Sequence, residues 1–348
     1  MDAALSMRRQ AVTLAAIAER PNLELACWKA ARGRQGRPAV ARFLAERERQ
    51  LDQLAAAILS GQAPEGRGSR FVIHDPKRRV IHAACFADRV LHHAIFNVVE
   101  ARFETMLVDS SFACRPGKGV HRAVLAVQRS LQRWPWFVQV DVDGYFPSIR
   151  HDLLMALLQR RFKGAGFMAL LGRIVDGGAT AGPGRGLPIG TLASQHFANA
   201  FLDGADRFIL DQPGAGGHVR YMDDLLWGCE SRAVAVESLA ALEGFLREAL
   251  DLRLKPQRRI ARSSEGARFC GYRVRQGAIL PGRRKMVRFR AAVVRIESAR
   301  RAGLVLDGDC QRAWDASLAT LAGCASEGFR RRVLGGFGYS REPGCPSD

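Results

Sequence analysis

The chain has 348 residues, 47% hydrophobic and 25% charged, a globular composition that excludes a disordered protein and is enough for about two or three packed subdomains. Lys and Arg outnumber Asp and Glu by 53 to 34, the net charge is +19, and only six of the basic residues are Lys. The planar guanidinium fork suits phosphate, so the excess points to a polyanionic partner, nucleic acid first; a solubilising Arg-rich surface is the alternative. The eight Cys form no CxxC pair. Cys27, Cys85, Cys114, Cys229 and Cys270 sit in apolar stretches, so buried thiols in a reducing cytoplasm are expected, not disulfides or a zinc site. No apolar run is long enough to span a bilayer and Met1–Met7 carries no apolar leader stretch, so no membrane partner is expected.

Residues 1–61 read as a helical extension. Leu23, Leu25, Ala26 and Trp28 precede a break at Arg32–Pro38, and a second amphipathic run covers Ala39–Leu59. After a loop at Pro64–Gly68, short strands at Phe71–Ile73 and Val80–Ile81 flank a basic turn, Asp75-Pro76-Lys77-Arg78-Arg79. Asp88 is expected to cap a helix with Leu91, Ala94, Ile95, Val98, Val99 and Phe103 on one face. Phe137–Val142 reads as a strand, Leu153–Phe162 as a helix, Gly177–Gly186 as a glycine-rich loop and Ser194–Leu210 as a helix. Val219–Cys229 reads as a hairpin with Asp223-Asp224 at its turn. A Ser231-capped helix to Leu250 follows, with Leu239, Leu242, Phe245 and Leu246 inward. Phe269–Val274 and Ala278–Leu280 form another hairpin around Gln276-Gly277. From Gly282 the chain is basic and helical, and the tail after Gly335 is expected to be loose.

The sharpest local signal is Tyr221-Met222-Asp223-Asp224. Asp tolerates the positive φ that tight turns need. An Asp-Asp turn alone is commonly just solvated, but Asp141 ends a second apolar alternation, Val138, Val140, Val142. Clustered carboxylates repel one another and raise each other's pKa unless a cation sits among them. Nucleotidyl transfer uses such a cluster to hold two Mg²⁺ about 3.5–4 Å apart, and Mg²⁺ favours a few carboxylates plus substrate phosphates.

On these motifs the chain resembles reverse transcriptases of the group II intron-like branch, most of all those of diversity-generating retroelements. The resemblance runs from about Phe71 to Val274. Arg78-Arg79-Val80-Ile81, followed by Asp88-Arg89-Val90-Leu91-His92-His93-Ala94, resembles the fingers motif, which implies that Lys77 and Arg79 reach the incoming triphosphate. Ser111-Phe112-Ala113-Cys114-Arg115-Pro116-Gly117-Lys118-Gly119 is similar to the second motif, implying template or phosphate contacts by Arg115 and Lys118. Asp141-Val142-Asp143-Gly144-Tyr145-Phe146 is similar to the first palm motif. It places metal ligation on Asp141, Val142, Asp223 and Asp224, catalysis on the three Asp, and the steric gate against a ribose 2′-hydroxyl on Phe146, whose alternative is core packing.

Gly186-Leu187-Pro188-Ile189-Gly190-Thr191-Leu192-Ala193-Ser194-Gln195 is the most discriminating stretch. Most relatives carry Gln where Ile189 stands and Pro where Gln195 stands. The form seen here is that of the diversity-generating group and implies nucleotide contacts by Ile189, Gly190 and Gln195 with lowered fidelity. In Leu254-Lys255-Pro256-Gln257-Arg258-Arg259, Arg258 stands where the family often has a proton-donating Lys. Phe269-Cys270-Gly271-Tyr272 resembles the primer grip, with Cys270 where Leu is usual. The basic segment with Arg283, Arg284 and Lys285 then fits a helical thumb along the duplex, a solvated helix face being the alternative.

The expected architecture is therefore α+β: a right-hand polymerase with a helical extension at 1–61, fingers and palm at 62–281 (an antiparallel sheet packed by helices), and a basic thumb and tail at 282–348. The resemblance implies an RNA-directed DNA polymerase using two Mg²⁺, with Mn²⁺ able to replace it, on dNTPs, template RNA and nascent cDNA, together with a small basic helical accessory protein. The alternatives are a reverse transcriptase of antiphage defence with its own non-coding RNA, and a non-polymerising, maturase-like RNA-binding protein.

Overall fold

The computed structural model describes residues 8–64, 66, 68–74, 78–178, 180–305 and 307–337. Its strands, in chain order, are β1 (Gln10–Ala11), β2 (Gly68–His74), β3 (Arg78–Ala84), β4 (Trp136–Asp141), β5 (Phe162–Lys163), β6 (Ala215–Tyr221), β7 (Asp224–Cys229), β8 (Arg259–Arg262), β9 (Ala267–Phe269), β10 (Tyr272–Val274) and β11 (Ile279–Pro281), with helices between them. The architecture is α+β, in keeping with a right-hand polymerase. The chain divides into two interleaved units: Met1–Arg115, Asp141–Phe208 and Ala240–Pro256 in one, and Pro116–Val140, Ile209–Leu239 and Gln257–Asp348 in the other.

In the first unit, helices Arg20–Ala31 and Arg47–Leu59 pack on the long helix Phe86–Met106. The amphipathic run after Arg32 splits into Pro38–Ala45 and Arg47–Leu59, because Glu46 leaves helical geometry at φ −114°. Asp88 is not the cap of the long helix. The cap is Cys85, whose Sγ accepts from Asp88 N at 3.4 Å, while Asp88 sits in the first turn and its carboxylate accepts from Gly66 N at 3.0 Å. Helix Ala165–Asp176, with Phe167, Leu170, Leu171 and Val175 buried, is an element the sequence reading does not include. The helix expected from Leu153 starts at His151 and stops at Gln159, so that Phe162 and Lys163 pair as β5 with β1. The one expected over Ser194–Leu210 is two, Leu192–Phe201 and Asp203–Leu210. Phe96, Phe103, Phe162, Phe197 and His196 make an aromatic core. Burial pushes the His196 pKa down to about 4, so it packs neutral against Phe96 at 4.0 Å.

The second unit holds the sheet β6-β7-β4-β8 and the sheet β11-β10-β9. Helix Val120–Arg133 packs on β6 and β7, and Trp134 lies flat on them over glycines. A Cβ at Gly216 would stand 2.5 Å from the indole, and one at Gly228 only 2.2 Å, so no side chain fits at either. Helices Arg283–Arg301, Asp307–Ala319 and Glu327–Gly335 close around Phe289, Val293, Ile296, Trp314, Leu321 and Leu334. The tail beyond Phe337 lies outside the described residues.

Among the described residues no helix is long and apolar enough to cross a membrane. The seven described Cys are free thiols; of the five expected to be buried, Cys27 and Cys229 are, Cys85 and Cys270 are half-buried, and Cys114 is exposed in a turn at φ 52°.

Candidate active site

β6 and β7 form an antiparallel hairpin in which Tyr221 pairs with Asp224, leaving Met222 and Asp223 as the two-residue turn. A single positive φ at the first central residue is the mark of a type II′ turn. That residue is Met222, at φ 56°, and not an Asp as the sequence suggested. A non-glycine residue in this region costs about 1–3 kcal/mol, so the surroundings must hold it. Arg220, fully buried, donates from Nη1 to the Met222 carbonyl at 3.3 Å. Leu225, Leu226 and Trp227 are fully buried, and Trp227 Nε1 donates to Ser238 Oγ at 3.0 Å. A rigid apolar hairpin thus carries Asp223 and Asp224, both half-buried, at its tip.

β4 is the neighbour of β7 in the sheet, and Asp141 is its last residue. The backbone around Asp141 is fixed by Lys255 N donating to Asp141 O and by Asp143 N donating to Arg253 O, both at 2.8 Å. Val142 bridges Leu254 across the same pair of segments. The Asp141 carboxylate is ion-paired to Lys255 Nζ. Gln139, two residues earlier on β4, donates from Nε2 to Asp224 Oδ1 at 3.1 Å and to the Arg268 carbonyl at 2.7 Å. Neither Gln139 nor Lys255 stands out in the sequence as a partner of these carboxylates, because each pairing joins residues far apart in the chain.

Among the described residues no three His, Cys, Asp or Glu side chains are gathered tightly enough to hold an ion by themselves. The donor chemistry still suits a hard cation. Asp223 and Asp224 bring two carboxylates to one turn, and Mg²⁺ is normally held by one or two carboxylates plus waters and substrate phosphates. The Lys255 ammonium occupies the Asp141 carboxylate as a cation would.

Phe146 lies in the short helix Tyr145–Ser148. Tyr145 takes the core position, 2% exposed with its hydroxyl donating to the Ala198 carbonyl, while Phe146 is half-buried. The Phe146 carbonyl accepts from Leu187 N at 2.9 Å, and the Ile189 carbonyl accepts from His82 N at 2.9 Å. These bonds draw Phe146, the 187–190 loop and β3 together. Gly190 has φ 114°, and a Cβ there would meet Ile81 Cγ2 at 3.0 Å, so only glycine suits the close pass over β3. Ile189 and Gln195 are half-buried. Arg79 is exposed on β3, in register with Ile73; Lys77 lies outside the described residues.

Arg115 is not placed for phosphate. Its side chain is 7% exposed, paired to Glu104 at 2.9 Å, and it donates to the carbonyls of Val108 at 2.7 Å and Ser111 at 2.8 Å. It clamps its own loop. Lys118 is half-buried and Arg258 exposed. Cys270 and Gly271 form the turn between β9 and β10, both at positive φ (48° and 78°), the signature of a type I′ turn. Burial first, and the nearby Asp224 carboxylate second, hold the Cys270 thiol protonated. Tyr272 is buried, with Lys285 Nζ 4.3 Å over its ring. Arg283 and Arg284 are exposed at the start of their helix.

Residues 74–274 match the family model described as reverse transcriptase (RNA-dependent DNA polymerase). The chain is 24% identical over 270 residues to Protein YkfC of Escherichia coli K12, covering 65% of this chain and 71% of that protein. It is 27% identical over 139 residues to the group II intron-encoded protein LtrA of Lactococcus lactis subsp. cremoris, covering 38% of this chain but 23% of LtrA. Among solved structures, an apo telomerase from Candida tropicalis superposes with a TM-score of 0.45 at 10% identity, over 62% of this chain and 54% of that one. Because the family model spans more than half of its length, the chain belongs to the reverse transcriptase family.

Proposed function

We propose that this protein is an RNA-directed DNA polymerase that extends a primer on template RNA with dNTPs. The observation that carries the reading is the intact carboxylate pair Asp223-Asp224, held on a rigid hairpin tip in the strand next to the one that Asp141 ends.

Divalent ions, Mg²⁺ or Mn²⁺ in its place, supply when bound the charge that clamps attacking and leaving oxygens. Asp141, Asp223 and Asp224, with the backbone at Val142, hold them. Lys255, ion-paired to Asp141, orients that carboxylate. Lys77, Arg79 and Arg258 bind the triphosphate; Arg258 stays protonated, so it stabilises charge without donating a proton. Phe146 presents its ring to the sugar and Gly190 lets the chain pass close to the nucleotide. The Cys270-Gly271-Tyr272 turn supports the primer, and Lys118, Arg283, Arg284 and Lys285 track phosphates of the template duplex.

The finer assignment is to diversity generation. Ile189 offers packing alone where relatives place a hydrogen-bonding Gln, and a site built on hydrogen bonds rejects misfits better than an apolar one. The product would be cDNA mutagenised at template adenines, made in company with a small basic helical protein. The likeness to an intron-encoded protein favours a second reading, a maturase-like role without polymerisation.

Primer extension on an RNA template separates the two. Asp223→Asn is expected to abolish extension while RNA affinity stays within about twofold, since it removes several kcal/mol of transition-state stabilisation. Extension above a tenth of the wild-type rate contradicts the assignment, and no extension by wild type favours the maturase-like role.

Sequencing of cDNA tests the finer assignment. Wild type should misincorporate most opposite adenine, and Ile189→Gln should lower that rate about tenfold, equivalent to about 1.4 kcal/mol of discrimination. Equal accuracy at all four template bases rejects the diversity-generating role and leaves the polymerase intact.

We further assign Gln139 as a positioning residue for Asp224. Gln139→Leu removes a hydrogen bond to a charged group, worth about 1.5–3 kcal/mol. Half-maximal extension should then need at least about tenfold more Mg²⁺, with the melting temperature held within a few degrees. An unchanged Mg²⁺ requirement rejects the role.

A further inference from the structure

The β9–β10 hairpin has two faces. Ala267, Phe269, Tyr272 and Val274 are buried on one, while Arg268 and Arg273 stand exposed on the other. The register sets these two arginines directly opposite each other. Like charges in a cross-strand pair are destabilising, and a hairpin selected only for stability would place opposite charges or β-branched residues there.

The same face continues outward. Arg259, Arg268, Arg273 and Arg275 line a concavity of about 410 Å³ whose one acidic lining residue is Glu265. Glu265 pairs with Arg259 at 3.4 Å, so among the described residues no carboxylate is paired to the cross-strand arginines or to Arg275. Two neighbouring guanidinium groups are pre-oriented by stacking, Arg259 over Phe137 at 5.0 Å and Arg262 over Trp136 at 4.9 Å.

We propose that this arginine face, centred on Arg268 and Arg273, is a second nucleic-acid-binding surface that grips the phosphate backbone of a folded RNA. A phosphate between the two forks accepts bidentate hydrogen bonds from both and turns the like-charge pair from a repulsion into a shared clamp. The concavity gives room for a backbone to settle, and arginine rather than lysine at every basic position matches a partner whose phosphate oxygens can accept two hydrogen bonds from one planar guanidinium fork. Arg268 also has its carbonyl held by Gln139 Nε2, so the strand that carries it is fixed in place. The inference rests on the reading that the chain handles RNA, and extends it from the template duplex to a structured RNA held on another face of the hairpin.

The test compares the full-length protein with Arg268→Thr combined with Arg273→Thr. Binding of a primerless double-stranded RNA stem is measured across a salt series, alongside extension of a short template–primer. The double variant should show a log–log salt slope shallower by about 2 for the stem, as expected when about two phosphate contacts are lost. Extension of the short template–primer should be unchanged, and the melting temperature equal or higher once the repulsion is gone. Replacing both by Lys, which preserves the charge, should restore most of the slope. An unchanged slope overturns the proposal. So does a parallel fall in extension of the short substrate, which would put the arginines on the template–primer path, and so does competition by polyglutamate as effective as RNA, which would make the partner an acidic polypeptide. If wild type extends nothing, the polymerase reading fails while the stem-binding result still decides this one.

Discussion

Two adjacent carboxylates have to be held still at the end of a hairpin, and the second unit is arranged around that constraint. A two-residue turn with Met222 at φ 56° is strained. It persists because Arg220 is buried beneath it with a guanidinium nitrogen on the Met222 carbonyl, and because β7 is buried along Leu225, Leu226 and Trp227. Gly216 and Gly228 keep the strands bare so that Trp134 can lie on them, and helix Val120–Arg133 follows. The amide of Gln139 then ties Asp224 to the β9 strand. Each of these contacts restricts where the acidic tip can be.

Buried arginine is neutralised within the fold, whereas exposed arginine is of two kinds, paired to surface carboxylates as Arg49 is to Glu46 and Arg331 to Glu327, or facing water. Arg115 is sealed against Glu104 and two carbonyls. Arg268, Arg273, Arg283 and Arg284 are exposed. A net charge of +19 would be costly as self-repulsion in a protein with no anionic partner. Against this background the acidic tip is the exception, and the neighbouring Asp141 carboxylate is ion-paired to Lys255.

Much of this was legible in the sequence for physical reasons. Hairpins flanked by apolar strands announce themselves by alternation and a polar turn, but the β6–β7 turn is one residue earlier than expected, Met222-Asp223 with Asp224 already in β7, and it is Met222 that takes the positive φ. The long helix Phe86–Met106 was visible from its apolar face, but its cap was not, because a cysteine thiol is an uncommon acceptor. Helix Ala165–Asp176 carries the period of a buried helix in Phe167, Leu170, Leu171 and Val175 and could have been found. Arg115 was misjudged because a basic residue in a glycine-rich loop looks the same whether it meets phosphate or its own backbone. Gln139 and Lys255 were invisible as partners, since nothing local distinguishes a strand Gln or a loop Lys that reaches across the fold. Lys77 remains an assignment from motif resemblance.

The central claim is that the hairpin-tip carboxylates hold divalent cations. Iron-mediated cleavage tests it without relying on polymerisation. Fe²⁺ replacing Mg²⁺, with ascorbate and peroxide, generates hydroxyl radicals that cut the backbone near the bound ion. The account predicts cuts clustered at residues 221–225 and around Asp141, suppressed by excess Mg²⁺ and lost at both places in Asp223→Asn. Cleavage scattered over the arginine-rich surface, or cuts at the tip that survive Asp223→Asn, would contradict it.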